Sequence, residues 1–444
     1  MWAPALAVIA VGVPCAAAPQ PLPDVSVSAS TPADAAPLTL TQAISLATTS
    51  QPTLAAQAAA VDQAQARVDQ AEAGRRLQLS FSATGSESNV DVTTPPPAHQ
   101  TFGTLQTQIS TPIPLGARPG LAVAQAKAAL ATTRAQYDSA VRTLAGQVVS
   151  AYYDVLRKQA LLRIATDNLD TANRQLHEVE RRFQAQDVAQ LDVTRATAPV
   201  SAAEAAVTTA RYNLLSATLA LNALLGRPAQ SPLPLADVSA AASPSAPPSA
   251  DAPDAIYPRI EQAQRAAVSS SPDVRAADAA VAAGEAAVRS AAAYRDPGLS
   301  VGVVDTRSGD LTGFSREDAV QATITVPLTD GGLGRSQVRD DRAALAQAES
   351  QARVARATVM ADAGAAYVAA ASADAQLAAT RDAEDVARTV YDKTFVGYTH
   401  GLFALTDVLT AQSALIQARL AHAQALYDDA AAHAALKLAT GEAL

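Results

Sequence analysis

The side chains that most often do chemistry are scattered along this chain. Of its five histidines, His422 and His433 share a helical stretch but stand eleven residues apart, about 16 Å and too far to hold one metal ion. Both read as surface histidines. Asp340-Asp341 and Asp428-Asp429 read as solvated helix faces rather than metal sites. Cys15 is the single cysteine, which excludes a disulfide framework and a thiolate zinc site. No His-Glu-x-x-His, Gly-x-Ser-x-Gly or Gly-x-x-x-x-Gly-Lys pattern occurs, so catalysis has no visible basis and no cofactor is implied. Two short turns stand at matching places in the chain, each followed by an aspartate, Asp192 in one case and Asp407 in the other. The turns carry Phe183 and Gln186 in one case, and Tyr398, His400, Gly401 and Leu402 in the other. What these residues do depends on the elements that hold them.

The composition describes those elements. Only 4% of the 444 residues are aromatic, and roughly a quarter are alanine, which favours helices and lets them approach closely. A thick globular core is excluded. A net charge of −9, with 33 Lys and Arg that form no basic patch, excludes nucleic acid as a partner. No run of 18 apolar residues marks a transmembrane helix. Residues 1–18, apolar from Trp2 and ending in Ala16-Ala17-Ala18, read as a signal peptide without a basic start, and 19–37 as an N-terminal linker. For Cys15 two readings stand, lipid attachment or loss with the leader; Pro14 directly before it disfavours the first.

The chain repeats itself. A shift of 220 places Ser50-Gln-Pro52 on Ser270-Ser-Pro272, Val61 on Val281 and Leu79 on Leu299. A shift of 215 places Ala151-Tyr152 on Ala366-Tyr367, Phe183 on Tyr398, Asp192 on Asp407 and Gly226 on Gly441. The copies cover 38–228 and 258–444, joined by a Pro/Ser/Ala linker at 229–257. Each copy reads helix, strand, strand, helix, helix. In copy one a helix is expected over 41 to about 76, then a strand alternating Leu77, Leu79, Phe81 and Ala83 with polar residues. A second strand through Leu105, Thr107 and Ile109 is expected to end at Pro112. Copy two repeats this with Leu299, Val301 and Val303, a loop around Arg307 to Asp318, then Val320, Ala322, Ile324 and Val326.

The following segment has no proline from Gly120 to Phe183, so it allows one rod of about 95 Å. Val141, Val148, Val155, Leu162, Leu169, Leu176 and Phe183 recur every seven residues along it, a coiled-coil seam that is less clean in copy two. Each strand has one apolar face, with Leu79, Phe81, Val301, Val303, Val320 and Ile324 expected to face lipid and Ser80, Gln321 and Thr323 to face water. Four strands cannot close a membrane barrel, so an oligomer is required.

At this point the chain resembles the TolC-like outer membrane efflux proteins. The most specific match is Tyr398-Thr-His-Gly401-Leu-Phe-Ala-Leu-Thr-Asp407-Val-Leu-Thr-Ala411-Gln412, supported by Pro327-Leu-Thr-Asp-Gly331-Gly332 and by Ser50-Gln-Pro52 and Ser271-Pro272-Asp273 at helix openings. The resemblance covers nearly the whole chain after the leader. It implies a mainly α fold with a small β part, in which long coiled-coil hairpins and four strands per chain trimerise. The homotrimer would form a twelve-stranded barrel in outer membrane lipid and a periplasmic α-helical tunnel. Its function would be the exit duct of a tripartite system, fed by a periplasmic adapter and an inner membrane pump. The same resemblance places the turns of Phe183, Gln186, Tyr398, His400, Gly401 and Leu402 at the adapter-docking end. It also places Asp407, and Asp192 by duplication, at the channel entrance, where a ring of carboxylates would favour cations; an aspartate that only caps or links helices is the competing reading. Gln186 in place of a glycine makes the first turn a departure from the pattern. The rival function, a periplasmic adapter, fits one hairpin between small β-domains rather than two hairpins and a duplication.

Overall fold

The structure, a computed structural model, describes residues 37–89, 99–113, 118–236, 253–310, 313–326 and 328–442. Residues 1–36 with the expected signal peptide and Cys15, the expected loop around Thr93 to Pro97, and the centre of the expected linker lie outside the described residues. Copy one runs α1 (Leu40–Ser50), α2 (Pro52–Ala73), β1 (Gln78–Asn89), β2 (His99–Ile113), α3 (Arg118–Gln184) and α4 (Gln190–Leu224). Copy two runs α5 (Pro253–Ser270), α6 (Pro272–Ala292), β3 (Gly298–Asp310), β4 (Gly313–Thr325), α7 (Leu333–Thr399) and α8 (Leu405–Thr440). No helix among the described residues is long and apolar enough to cross a membrane.

The expected single helix over 41 to 76 is two helices. Pro52 opens α2 at its first position and forces the residue before it out of helical geometry, so Gln51 sits at φ −76°, ψ 119°. Ser271 before Pro272 does the same at φ −66°, ψ 126°, and its hydroxyl accepts the Asp273 N–H as an N-cap. Both breaks dock on the far end of their own repeat. Ser50 Oγ donates to the Leu225 carbonyl at 2.6 Å, and Ser270 Oγ to the Thr440 carbonyl at 3.0 Å. Each acceptor is followed by a left-handed glycine, Gly226 at φ +64° and Gly441 at φ +81°. The duplication is thus repeated down to individual hydrogen bonds.

The four strands form one antiparallel sheet in the order β1-β2-β3-β4, so copy one meets copy two along the β2–β3 ladder. Two boundaries differ from expectation. Residues 307–310 and 313–318, expected in a loop, form strand ladder as far as the pair Asp310 and Gly313. Charge disguised them, because Asp305, Arg307, Arg316 and Asp318 interrupt the apolar alternation while pairing with one another: Arg316 lies 3.0 Å from Asp305 and 3.1 Å from Asp318. Pro112 is inside β2, opposite Ser300. It lies beyond the β1 ladder, which starts at Gln78 opposite Ser110, and a stretch with one neighbouring strand tolerates the missing donor.

Helices α3 and α7 each have 67 residues, about 100 Å at 1.5 Å per residue. Each folds back on the helix after it, and α3 also packs on α6 and α8. The main core lies midway along α3, around Val148, Tyr152, Val155 and Leu156, with Leu221 of α4, Leu225 at its C-cap and Tyr427 of α8. There the Tyr152 hydroxyl lies 3.0 Å from the Leu38 carbonyl and 2.9 Å from the Ala236 carbonyl. Leu38 and Leu235 form a parallel bridge at this point, so the chain entering copy one and the chain leaving it are tied to the same tyrosine.

Candidate functional site: the helical tip and the uncovered sheet

The tip is where α3 turns into α4 and α7 into α8. Both turns share one hydrogen-bond pattern. Gln186 N–H donates to the Phe183 carbonyl and Asp187 N–H to that of Arg182; Gly401 N–H donates to Tyr398 and Leu402 N–H to Gly397. This is the double closure of a left-handed helix end. Gln186 adopts φ +65° where Gly401 has φ +74°, so the departure from glycine leaves the turn geometry unchanged and places a side chain in a region that disfavours it.

A small core holds the two turns together. Val179 of α3, Ala196 of α4, Tyr398 of α7 and Leu405 and Val408 of α8 are all buried in it. Arg182 extends from α3 to the end of α7, donating to the Tyr398 carbonyl at 3.3 Å and the Thr399 carbonyl at 3.2 Å, with its guanidinium 4.6 Å from the Tyr398 ring. A cation there satisfies orphan carbonyls and complements the negative helix end. Glu178 accepts from Arg182 Nε at 3.0 Å and holds it in place. Burial pushes the Tyr398 phenol above its ordinary pKa, with Arg182 acting in the opposite direction.

The residues expected at the docking end are therefore of two kinds. Phe183, Gln186, His400, Gly401 and Leu402 are exposed, Leu402 at 76%, and Phe403 and Val396 add exposed apolar surface beside them. Tyr398 is only 6% exposed, so it builds the tip from within and offers no side chain for docking. Asp192 and Asp407 both lie in the first turn of their helices. Asp407 is exposed and its Oδ2 accepts the Ala404 N–H at 3.0 Å, one half of a capping box. Asp192 is partly covered and lies 3.6 Å from Arg195.

The histidines are not plain surface residues. His422 Nδ1 is 2.6 Å from Glu384 and His433 Nε2 is 3.0 Å from Asp374, each pairing α8 with α7. Asp429 is buried and faces His433, which corrects its reading as part of a solvated face. These partners lie almost equally far from the turn at Gly401, a relation that appears only once the hairpin register is known.

At the other end, the ladders align Leu79, Ile109, Val303 and Val320 in one row across all four strands. Ile113, Leu299 and Ile324 form another row on the same face, and Thr111, Val301 and Ala322 one between them. Leu79, Phe81, Val303, Val320 and Ile324 are exposed, and Val301 is partly covered. Phe81 shares its row with Thr107, Asp305 and Asp318, so the apolar band stops one row earlier on β3 and β4 than on β1. Ser80, Gln321 and Thr323 alternate onto the opposite face. Among the described residues no helix makes more than marginal contact with the sheet.

The Outer membrane efflux protein family matches this chain over residues 43–227 and again over 264–442. The outer membrane efflux protein BepC of Brucella suis is 26% identical, covering 81% of this chain and 76% of BepC. The cobalt-zinc-cadmium resistance protein CzcC of Cupriavidus metallidurans is also 26% identical, over 87% of this chain and 86% of CzcC. The crystal structure of the outer membrane protein VceC from Vibrio cholerae superposes with a TM-score of 0.76 at 20% identity, covering 91% of this chain and 96% of VceC. Two hairpins, one uncovered sheet and two family matches that fall on the two repeats have one common explanation: the chain belongs to the outer membrane efflux protein family, a non-enzymatic efflux channel of the outer membrane that works in a tripartite system.

Proposed function

We propose that three copies of the chain close one twelve-stranded barrel in outer membrane lipid and align their hairpins as a periplasmic tunnel. The observation that carries this is the sheet. Among the described residues its edges at β1 and β4 are unpaired, a state that soluble proteins cover or charge, and its apolar rows are left unburied. Two further chains supply both the missing edges and the minimum of about eight strands for closure. Helix α7 adds support, with Val354, Val368, Val386 and Val390 exposed along its length for a neighbouring hairpin to cover. The repeats at 38–228 and 258–444 each contribute two strands and one hairpin. Leu79, Phe81, Val301, Val303, Val320 and Ile324 face lipid. Replacing Val303 by Arg is expected to cost about 2–4 kcal/mol in the barrel and to deplete assembled trimer from outer membrane fractions. Undiminished trimer would overturn the barrel reading.

The tip is the proposed entrance and docking end. Phe183, Gln186, His400, Gly401, Leu402 and Phe403 supply the exposed surface for a periplasmic adapter linked to an inner membrane pump, while Tyr398 and Arg182 hold the two turns in register. Asp407 keeps a carboxylate oxygen beyond its cap, and three copies would form an acidic ring with Asp192 beside it. Asp407→Asn is expected to lower cation selectivity in planar bilayers; unchanged selectivity would remove the ring and leave the cap.

A further inference from the structure

Halfway down the second hairpin, three ligand-type side chains converge from two helices. Asp429 and His433 are four residues apart on α8 and share a face, and Asp374 approaches from α7. His433 Nε2 lies 3.0 Å from Asp374 Oδ1 and 3.6 Å from Asp429 Oδ1, and the three ligand atoms lie within 4.8 Å of one another. Asp429 is 8% exposed, and its Oδ1 is buried without a hydrogen-bond donor.

An ion pair alone does not account for this arrangement. One Nε2–H serves one acceptor, and Asp374 occupies it at hydrogen-bond distance. That leaves a buried carboxylate oxygen unpaired and facing a second carboxylate, which is costly. No Lys or Arg nitrogen among the described residues lies within 4 Å of either aspartate to compensate.

We propose that Asp374, Asp429 and His433 bind one divalent transition-metal ion of the zinc type, which pins α7 to α8. With metal–ligand bonds of about 2.0–2.1 Å, a tetrahedral site has ligand–ligand edges of about 3.3 Å. The observed 3.0 and 3.6 Å bracket that value. Two carboxylates and an imidazole suit such an ion and neutralise its charge, and the fourth position is left for water. Copy one has Gln159, Leu214 and Thr218 at the corresponding places, so the site belongs to the second hairpin alone.

The test uses the full chain purified from membranes in detergent and titrated with Co²⁺. One Co²⁺ per chain is expected, with the intense visible absorption of a four-coordinate site, displaced by Zn²⁺. Asp429→Asn, nearly isosteric, is expected to weaken binding by more than about tenfold, since changes to groups around a metal's ligands alone cost about 10–100-fold. The triple exchange Asp374→Gln, Asp429→Leu and His433→Thr copies the seam of the first hairpin and is expected to bind no cobalt while keeping its assembly. If that exchange does not assemble, Asp429→Asn decides. Absence of stoichiometric cobalt in the unaltered chain, or uptake unchanged in either variant, would overturn the site.

Discussion

Along the first hairpin, the places taken by the two histidine–carboxylate groups of the second are apolar or neutral. Leu169 and Val207 correspond to Glu384 and His422; Gln159, Leu214 and Thr218 correspond to Asp374, Asp429 and His433. Helix α3 buries valines at Val148, Val155 and Val179, whereas α7 buries alanines at Ala352, Ala363 and Ala370. Tyr152 is fully buried in the main core, while its counterpart Tyr367 is only partly covered. A duplicated backbone has thus been kept, down to its serine clamps and left-handed turns, while the seams have diverged. The first hairpin carries the apolar core, and the second joins its helices by small residues and polar pairs. Backbone geometry is set by caps and turns that both copies retain, and seam chemistry only has to be self-consistent within each pair of helices.

The comparison is most easily broken at the paired tyrosines. Tyr152→Ala is expected to cost about 3–5 kcal/mol by opening a cavity in the core and freeing the two carbonyls it holds. Tyr367→Ala is expected to cost about 1 kcal/mol or less at its partly exposed site. Equal losses in denaturant melts would show that the two hairpins share the load.

Next in size is the Glu384 cluster, where His422 at 2.6 Å, Arg388 at 2.5 Å and Arg419 at 3.8 Å surround one carboxylate. Glu384→Leu removes the partner that these side chains share and is expected to cost about 1–3 kcal/mol, discounted for the partial exposure of the group. Adding His422→Val recreates the apolar pair of the first hairpin and is expected to recover much of that loss, read as a positive coupling in a double-mutant cycle. Burial pushes the Glu384 carboxyl up, but the hydrogen bond and charge of His422, with Arg388 and Arg419, outweigh it and hold the carboxyl below its ordinary 4.5. A depressed acid stabilises the fold above its unfolded pKa, so this contribution is complete above 4.5 and is lost as pH falls through the lower folded value. Glu384→Gln should therefore flatten the acid limb of the melting profile, and an unchanged limb would contradict the role given to the cluster.

The smallest effect tests what the two turns share. Gln186→Gly is expected to stabilise by up to about 1 kcal/mol, because the backbone there is already left-handed, and Gly401→Gln to destabilise by a similar amount. Opposite signs confirm one geometry with two residue choices; a loss at Gln186→Gly would mean that the glutamine side chain is needed in the first turn.

Much of the architecture was legible because it depends on local signals. Prolines at Pro52 and Pro272, glycines at Gly226, Gly401 and Gly441, and alternation at Leu79, Phe81, Val301 and Val303 act within a few residues, and the repeat shifts align them. The same locality misled at Arg307 to Asp318, where charged residues read as loop although the neighbouring strand supplied their ladder partners. At the tip, the turn residues were legible but the burial of Tyr398 was not, since it depends on α3 and α8.

By itself the sequence determined the duplication, the order of elements, the apolar face of each strand and the absence of a thick core. The tertiary structure decided which side chains meet across helices. Arg182 at the end of α7, Tyr152 beneath both ends of copy one, and Asp374 beside Asp429 and His433 are far apart in sequence or lie on different helices. Their meeting is set by the register in which rods of about 100 Å fold back on each other, and that register is a sum of many weak seam contacts with no single residue pattern to announce it.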